Sequence, residues 1–191
     1  MKNFLLLLVL ILSCMTNANS ETNRIISGNK NAKITIIVYE SLTCSHCADF
    51  HADVYPQLKN DYIDTGLAKI EFRHFPLDVA AFNASKIAQC KQDQSLEILN
   101  SLYSNQQAWV KGSAIEEINK NLKNFLAKEG FDIDFEKCVN NKEIEDFVLN
   151  DRIEGVKTYK VNATPTIIIN NKKFEKSLNY KNLKKALEKL I

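Results

Sequence analysis

The stretch ITIIVYESLTCSHCADFH, residues 34–51, contains the features that decide the fold. Its first part belongs to Lys33–Tyr39, which is β-branched and apolar at both odd and even positions and so predicts a central strand covered on both faces. The strand runs directly into Cys44-Ser45-His46-Cys47. From residue 45 to about residue 60, apolar residues four apart predict a helix, which Pro56 should kink.

The rest of the chain predicts a sheet interrupted by helices. Residues 68–75 alternate apolar and polar, so the first segment reads as strand, helix, strand. Residues 78–159 have helical periodicity throughout and predict a small bundle. After it, Thr166–Ile169 predicts a buried strand, Lys172–Glu175 an antiparallel return, and the chain closes with a helix. The predicted apolar face of this helix consists of Tyr180, Leu183, Ala186, Leu187, Leu190 and Ile191.

The bulk composition indicates one folded domain. The chain has 191 residues, of which 45% are hydrophobic and 25% charged, with five Gly and three Pro. We expect an α/β domain of residues 21–77 and 160–191, with residues 78–159 as an inserted helical subdomain. The 25 basic and 23 acidic residues form no basic stripe, so a nucleic-acid partner is not expected.

The N-terminus predicts an export signal over residues 1–20. Lys2 is followed by an unbroken apolar run, Phe4–Leu12, which is too short to span a bilayer. Small residues after it fit a cleavage site. The competing interpretation is a lipoprotein signal in which Cys14 carries the lipid, although Leu12 fits that pattern poorly. Export predicts a periplasmic location, with Cys14 as an alternative lipid anchor.

Four cysteines remain outside the signal, in a compartment where disulfides persist. A cysteine at the start of a helix is close to unsatisfied N–H groups and the positive end of the helix dipole, so we expect a lowered pKa for Cys44. Cys47, three residues on, should be more buried and keep its proton. His46 is expected to stabilise the Cys44 thiolate by its charge or its ring N–H, and the alternative is an exposed residue without a role.

Zinc binding is the main alternative for this motif. Cys44, Cys47 and His51 could act as ligands, with His74, Cys90 or Cys138 as a fourth, but the second short-spaced pair of a structural zinc site is missing. Covalent haem is excluded because residue 48 is Ala where that motif requires His. We expect no metal and no cofactor.

A second feature lies far downstream, at Thr164-Pro165. A proline just before a strand cannot donate to the sheet, and a cis bond there would expose a free backbone edge to which a substrate peptide could add as a strand. A plain trans turn is the alternative. The sequence therefore predicts Thr164 and Pro165 as substrate-binding residues, with Pro165 also placed beside the reacting sulfurs.

Together these features resemble the DsbA-like thiol:disulfide oxidoreductases of the thioredoxin superfamily. The resemblance covers residues 30–191 and implies a thioredoxin-like fold (βαβ…ββα) with an inserted helical bundle. It also implies that Cys44 is the nucleophile, Cys47 the resolving thiol and Pro165 the cis-proline. Two departures are the dipeptide Ser45-His46, where Pro-His is familiar, and Val38, where many relatives carry a buried acid.

Two further expectations concern the remaining polar and cysteine residues. Glu40, two residues after Val38, is a candidate for a proton relay, with a solvated strand-end residue as the alternative. Cys90 and Cys138 both fall in the helical insertion, where a disulfide would cross-link it. Four cysteines allow three pairings, and buried free thiols are the other interpretation.

The leading functional hypothesis is an exported enzyme that introduces disulfides into reduced, unfolded proteins. A DsbB-like membrane partner would reoxidise it, and a monomer is expected. One alternative is a disulfide isomerase or reductase that uses the same sulfurs, although a dozen residues before the first predicted strand are too few for the dimerisation domain of dimeric isomerases. The other is a zinc-stabilised binding domain without catalytic activity.

Overall fold

The computed structural model describes residues 22–191. The predicted signal, residues 1–20 with Cys14, lies outside the described residues. In the described part, the strands are β1 (Ile25–Gly28), β2 (Ile34–Glu40), β3 (Ala68–His74), β4 (Thr166–Ile169) and β5 (Lys172–Lys173). The helices are α1 (residues 45–63), α2 (Val79–Cys90), α3 (Ser95–Ser104), α4 (Gln106–Trp109), α5 (Ile115–Lys128), α6 (Phe135–Val139), α7 (Lys142–Tyr159) and α8 (Tyr180–Leu187).

The strands form one mixed sheet in the order β1-β3-β2-β4-β5. β2 and β3 are parallel and joined through α1, which confirms the predicted βαβ unit. β4 runs antiparallel to β2, and β5 antiparallel to β4, which confirms the return strand. β1 was not predicted, because its four residues contain only two buried side chains; it pairs antiparallel with β3 at the sheet edge.

The central strand is covered on both faces, as its sequence predicts. Ile36 and Val38 belong to the larger hydrophobic core, which α1, α2, α3 and α8 complete. Ile37 and Tyr39 point to the opposite face and form a smaller core with Phe75 and Ile168. Because both faces are buried, β2 holds its C-terminal end, and the cysteine motif that follows it, in a fixed position.

The first helix differs in detail from the prediction. It alternates α-helical turns, Ser45–Asp49 and Tyr55–Leu58, with π-helical turns, Phe50–Val54 and Lys59–Ile63. Pro56 lies in the first turn after a π segment, and the helical run passes through it. Helices α2–α7 fill the chain between β3 and β4.

The C-terminal helix is shorter than predicted. It ends at Leu187, so Leu190 and Ile191 are not part of its buried face and are 46% and 70% exposed. Leu183 and Leu187 are its buried apolar residues. Within residues 22–191, each helix is too short or too polar to cross a membrane.

Candidate active site

The first cysteine of the motif lies where β2 has ended and α1 begins. Cys44 occupies the N-cap position of α1, and its side chain is partly exposed. The backbone N–H groups of His46 and Cys47 donate to its sulfur. Cys47 lies in the first turn of the same helix and is completely buried. The two sulfurs therefore differ sharply in their access to solvent.

The surroundings of Cys44 favour its charged form. The pKa of Cys44 is lowered to about 5, chiefly by the hydrogen bond from the Cys47 side chain. The Thr164 side chain and the two backbone N–H groups lower it further, while partial burial opposes them. Cys44 is thus a thiolate at neutral pH, which is the form that attacks disulfides and leaves from them.

The surroundings of Cys47 have the opposite effect. The pKa of Cys47 is raised far above its ordinary value, first by its hydrogen bond to Cys44, then by burial, and third by the nearby carboxylate of Glu40. One sulfur of the pair is therefore charged and accessible, and the other is protonated and enclosed.

His46 is placed differently from the predicted arrangement. Its backbone N–H is one of the groups that stabilise the Cys44 thiolate. The ring has 82% of its side-chain surface exposed, and Nδ1 lies 3.4 Å from a carboxylate oxygen of Asp49.

The downstream loop lies against the cysteines. The Thr164–Pro165 peptide bond is cis, and the Thr164 carbonyl oxygen lies 3.4 Å from the Cys44 sulfur, which donates to it as a thiol. Thr164, Pro165 and the N-terminal part of α1 line a cavity of about 490 Å³ that also includes Leu178. We call this cavity the proline-side groove. It presents mainly apolar surface, and one of its lining residues, Thr164, lies against the Cys44 sulfur.

The helical insertion fixes the loop that carries Cys44. The side-chain amide of Gln106 donates to the carbonyl oxygens of Leu42 and Cys44, at 2.8 and 3.1 Å. The Thr43 hydroxyl donates to Asp78 at 2.6 Å, from the start of α2. Sequence reasoning missed Gln106, because nothing in its local pattern distinguishes it from a surface glutamine.

A buried polar pair lies beneath the motif. Glu40 ends β2 with 2% of its surface exposed, and its Oε2 lies 2.9 Å from Nε2 of His51 on α1. The interpretation of Glu40 as a solvated strand-end residue is therefore wrong. Burial raises the pKa of Glu40, and the interaction with His51 opposes that rise. A carboxylate on an apolar strand and a histidine on an apolar helix face were the available signals for this pair.

The zinc hypothesis finds no support in this arrangement. Cys90 and Cys138 are joined by a disulfide, with an S–S distance of 2.05 Å, between α2 and α6. The ring of His74 is buried against Gln89, and His51 is paired with Glu40. Within residues 22–191, no group of three or more metal-binding side chains is close enough to hold an ion.

A thiolate at a helix N-terminus, a buried partner thiol and a cis-proline on one sheet define a thioredoxin-like protein with a dithiol site. The family model described as thioredoxin matches residues 20–189. Among solved structures, alpha-DsbA1 of Wolbachia pipientis is 30% identical, with a TM-score of 0.78 over 88% of this chain and 90% of that one. The chain belongs to the thioredoxin family, and within it to the DsbA-like proteins.

Curated relatives agree with this family. A Rickettsia prowazekii protein named as a protein-disulfide oxidoreductase is 25% identical over 175 residues, covering 90% of this chain and 62% of the relative. Disulfide bond formation protein D of Bacillus subtilis is 25% identical over 179 residues, covering 85% and 74%. The chain spans only 62% to 66% of the length of three Rickettsia relatives.

Proposed function

We propose that this chain is an exported thiol:disulfide oxidoreductase that introduces disulfides into proteins through the Cys44-Ser45-His46-Cys47 motif. The observation that carries the proposal is the division of roles between the two sulfurs. The pKa of Cys44 is lowered to about 5 and that of Cys47 is raised, so the reduced pair has a stabilised thiolate. A stabilised reduced form makes the disulfide a strong oxidant, because the reaction that produces the thiolate is favoured.

The exchange proceeds in two steps. A substrate thiolate attacks the Cys44 sulfur of the Cys44–Cys47 disulfide; a mixed disulfide forms, and Cys47 leaves and takes up a proton. A second substrate thiolate then attacks the substrate sulfur of the mixed disulfide and releases Cys44 as a thiolate. The substrate loses two electrons and gains a disulfide, and Cys44 and Cys47 gain the two electrons.

Reduced, unfolded proteins are the proposed substrates. The proline-side groove is lined by Thr164, which lies against the Cys44 sulfur, and offers apolar surface on which a chain flanking the substrate cysteine can lie. Backbone groups near Thr164 can pair with that chain as an added strand, which demands little of its sequence. Such recognition suits an enzyme that acts on many unfolded polypeptides.

The cellular setting extends the proposal. The apolar run Phe4–Leu12 supports export to the periplasm, and Cys14 provides an alternative lipid anchor. Two electrons gained in each cycle must leave the protein again, so we propose reoxidation by a DsbB-like membrane partner. The protein is proposed to act as a monomer, because the site described above is complete within one chain.

The test uses oxidised protein and a reduced peptide that contains two cysteines. The proposal expects rapid, stoichiometric oxidation of the peptide, and loss of that reaction in Cys44→Ser. A control variant, Cys90→Ala with Cys138→Ala, lacks the other two sulfurs and should still oxidise the peptide. Activity only on a scrambled disulfide substrate would favour an isomerase, and full activity of Cys44→Ser would overturn the assignment of the nucleophile.

A further inference from the structure

The loop that carries Cys44 is bonded to the helical insertion through one buried side chain. Gln106 is 6% exposed, and its Nε2 lies 2.8 Å from the carbonyl oxygen of Leu42 and 3.1 Å from that of Cys44. These two carbonyls lie on either side of Thr43, in the loop between β2 and α1. The amide nitrogen carries two hydrogens, so it can donate to both carbonyls at once. A residue of the insertion thus bonds the backbone of Cys44 directly.

Gln106 itself has a fixed position. It is the first residue of α4, and Trp109, three residues on in the same turn, is completely buried. The ring N–H of Trp109 donates to the carbonyl oxygen of Leu102 at 2.9 Å, which ties α4 to α3. Because Gln106 and Trp109 share one helical turn, the packed indole also fixes the backbone from which the amide extends.

The Cys44 carbonyl is the point at which the loop becomes a helix. It accepts the backbone N–H groups of Cys47 and Ala48, at 3.1 and 3.2 Å, and these are the first hydrogen bonds of α1. The N–H groups of His46 and Cys47, which stabilise the Cys44 thiolate, belong to the same turn. A rotation of the Cys44 peptide would therefore move the sulfur relative to these donors.

Other contacts between this loop and the insertion involve side chains of the loop. The Thr43 hydroxyl donates to Asp78 at 2.6 Å, and the Ser41 hydroxyl accepts the backbone N–H of Leu77 at 3.3 Å. Gln106 instead bonds backbone carbonyls, one of which is that of Cys44. It therefore acts more directly on the orientation of the Cys44 peptide than these contacts do.

We propose that Gln106 is a positioning residue for thiol exchange, whose amide holds the backbone of Leu42 and Cys44 so that the Cys44 sulfur stays at the N-terminus of α1. This role rests on the proposed function. Gln106 acts through the backbone of Cys44, so it affects each step in which that sulfur attacks or leaves. The insertion thereby contributes to the reactivity of a sulfur that belongs to the thioredoxin-like part of the chain.

The experiment is the thiolate absorbance of reduced Gln106→Leu, recorded against pH. Leucine has a similar size but no donor, and we expect the pKa of Cys44 to rise by about one, the worth of a hydrogen bond that supports a charged group. At neutral pH, the equilibrium with a reduced dithiol peptide should move about tenfold towards oxidised protein and reduced peptide. Gln106→Glu keeps the length, but its carboxylate cannot donate and adds a like charge, so the pKa should rise further.

Two matched controls separate positioning from a general loss of stability. Asn121→Leu also removes an amide that donates to a backbone carbonyl of the insertion, that of Lys111 at 2.8 Å. Gln107→Leu makes the same substitution at the next residue, which is exposed. Both controls should leave the pKa of Cys44 and the oxidation equilibrium unchanged, whatever their effect on the free energy of unfolding.

A measurement on the wild-type protein keeps the test valid if the Gln106 variants do not fold. The side-chain amide protons of Gln106 and Gln107 can be assigned in NMR spectra through their bonds to the backbone. Those of Gln106 should exchange with water at least about tenfold more slowly, because they are buried and donate to two carbonyls.

The outcomes separate this proposal from the proposed function. An unchanged pKa of Cys44 in folded Gln106→Leu, an equal rise in Asn121→Leu, or equal amide exchange at Gln106 and Gln107 would each overturn the role of Gln106. Failure of the wild-type protein to oxidise the peptide would instead overturn the proposed function, and the thiolate measurement, which needs no substrate, would still report on Gln106.

Discussion

The protein contains two pairs of cysteines whose surroundings differ in nearly every respect. Cys44 and Cys47 are three residues apart in one helix turn, one partly exposed and the other buried. Cys90 and Cys138 are 48 residues apart and join α2 to α6. In the first pair, Cys47, Thr164 and helix N–H groups stabilise a charged sulfur on Cys44. The same side chain therefore forms the dithiol pair proposed for electron exchange in one place and a cross-link of the fold in the other.

The largest expected effect is on the reactive pair. Cys44→Ser removes the attacking and leaving sulfur, so dithiol oxidation should be lost completely, because serine oxygen does not form a disulfide. Peptide oxidation measured by thiol titration checks this. Cys47→Ser is the matched comparison: given a peptide that already contains a disulfide, its Cys44 thiolate should displace one peptide sulfur and keep a long-lived mixed disulfide, since no resolving thiol remains. Formation of a mixed disulfide by Cys44→Ser as fast as by Cys47→Ser would remove the distinction between the two sulfurs.

The second pair should affect stability and leave the chemistry intact. Opening a loop of 48 residues by Cys90→Ala with Cys138→Ala is expected to lower the free energy of unfolding by about 4 kcal/mol at most. Denaturant unfolding of oxidised protein measures this change. At a temperature where the double variant is folded, its rate of peptide oxidation should match that of the wild type. Loss of oxidase activity in the folded variant would contradict a purely cross-linking role for Cys90 and Cys138.

Stability should depend on pH differently in the two redox forms. In the reduced protein the pKa of Cys44 is about 5, below the ordinary thiol value of 9.0, so folding favours the thiolate. The thiolate's contribution to the free energy of unfolding is complete above pH 9.0, decreases as the pH falls towards 5, and is absent below pH 5. The oxidised protein lacks it. Because Cys44 is partly exposed, solvent screening reduces the effect.

The measurement for this prediction is the difference in unfolding free energy between reduced and oxidised protein across that pH window. Groups with the same surroundings in both forms cancel in the difference. The unfolding free energy of the reduced protein minus that of the oxidised protein should rise from acid to alkaline pH. In Cys44→Ser this difference should not change with pH. A difference that falls with rising pH in the wild-type protein would contradict the account.

The smallest expected effect concerns the side chain of Thr164, which is one of the groups that lower the pKa of Cys44. Thr164→Val should raise the pKa of Cys44 by about one, the worth of a hydrogen bond to a charged group. Thiolate absorbance against pH measures the change. Thr166→Val is the control, because that hydroxyl donates to Ala163 and does not contact Cys44.

The strands of the fold differ in how far the sequence could predict them. Local periodicity and residue type predict the strand Lys33–Tyr39, the cysteine motif and the proline loop, and these elements were enough to predict the βαβ and ββα units. β1 was missed because a four-residue edge strand gains its structure from pairing with β3. Its sequence alone has too little periodicity to predict it.

The polar contacts of the site depend on tertiary structure. Glu40 and His51 are 11 residues apart, and their pairing depends on how α1 packs against the sheet. Gln106 is 62 residues from Cys44, and only the packed insertion brings its amide to the loop. The sequence therefore indicates the cysteine pair, whereas the polar contacts around it come from the packed structure.

The most direct test of the central claim is the ultraviolet absorbance of the thiolate in reduced protein, recorded against pH, with Cys44→Ser as the blank. The account predicts a transition with a midpoint near pH 5, assigned to Cys44 by its absence in the variant. A midpoint close to 9.0, the ordinary value for a thiol, would show that helix N–H groups, Thr164 and Cys47 do not stabilise this sulfur as a thiolate.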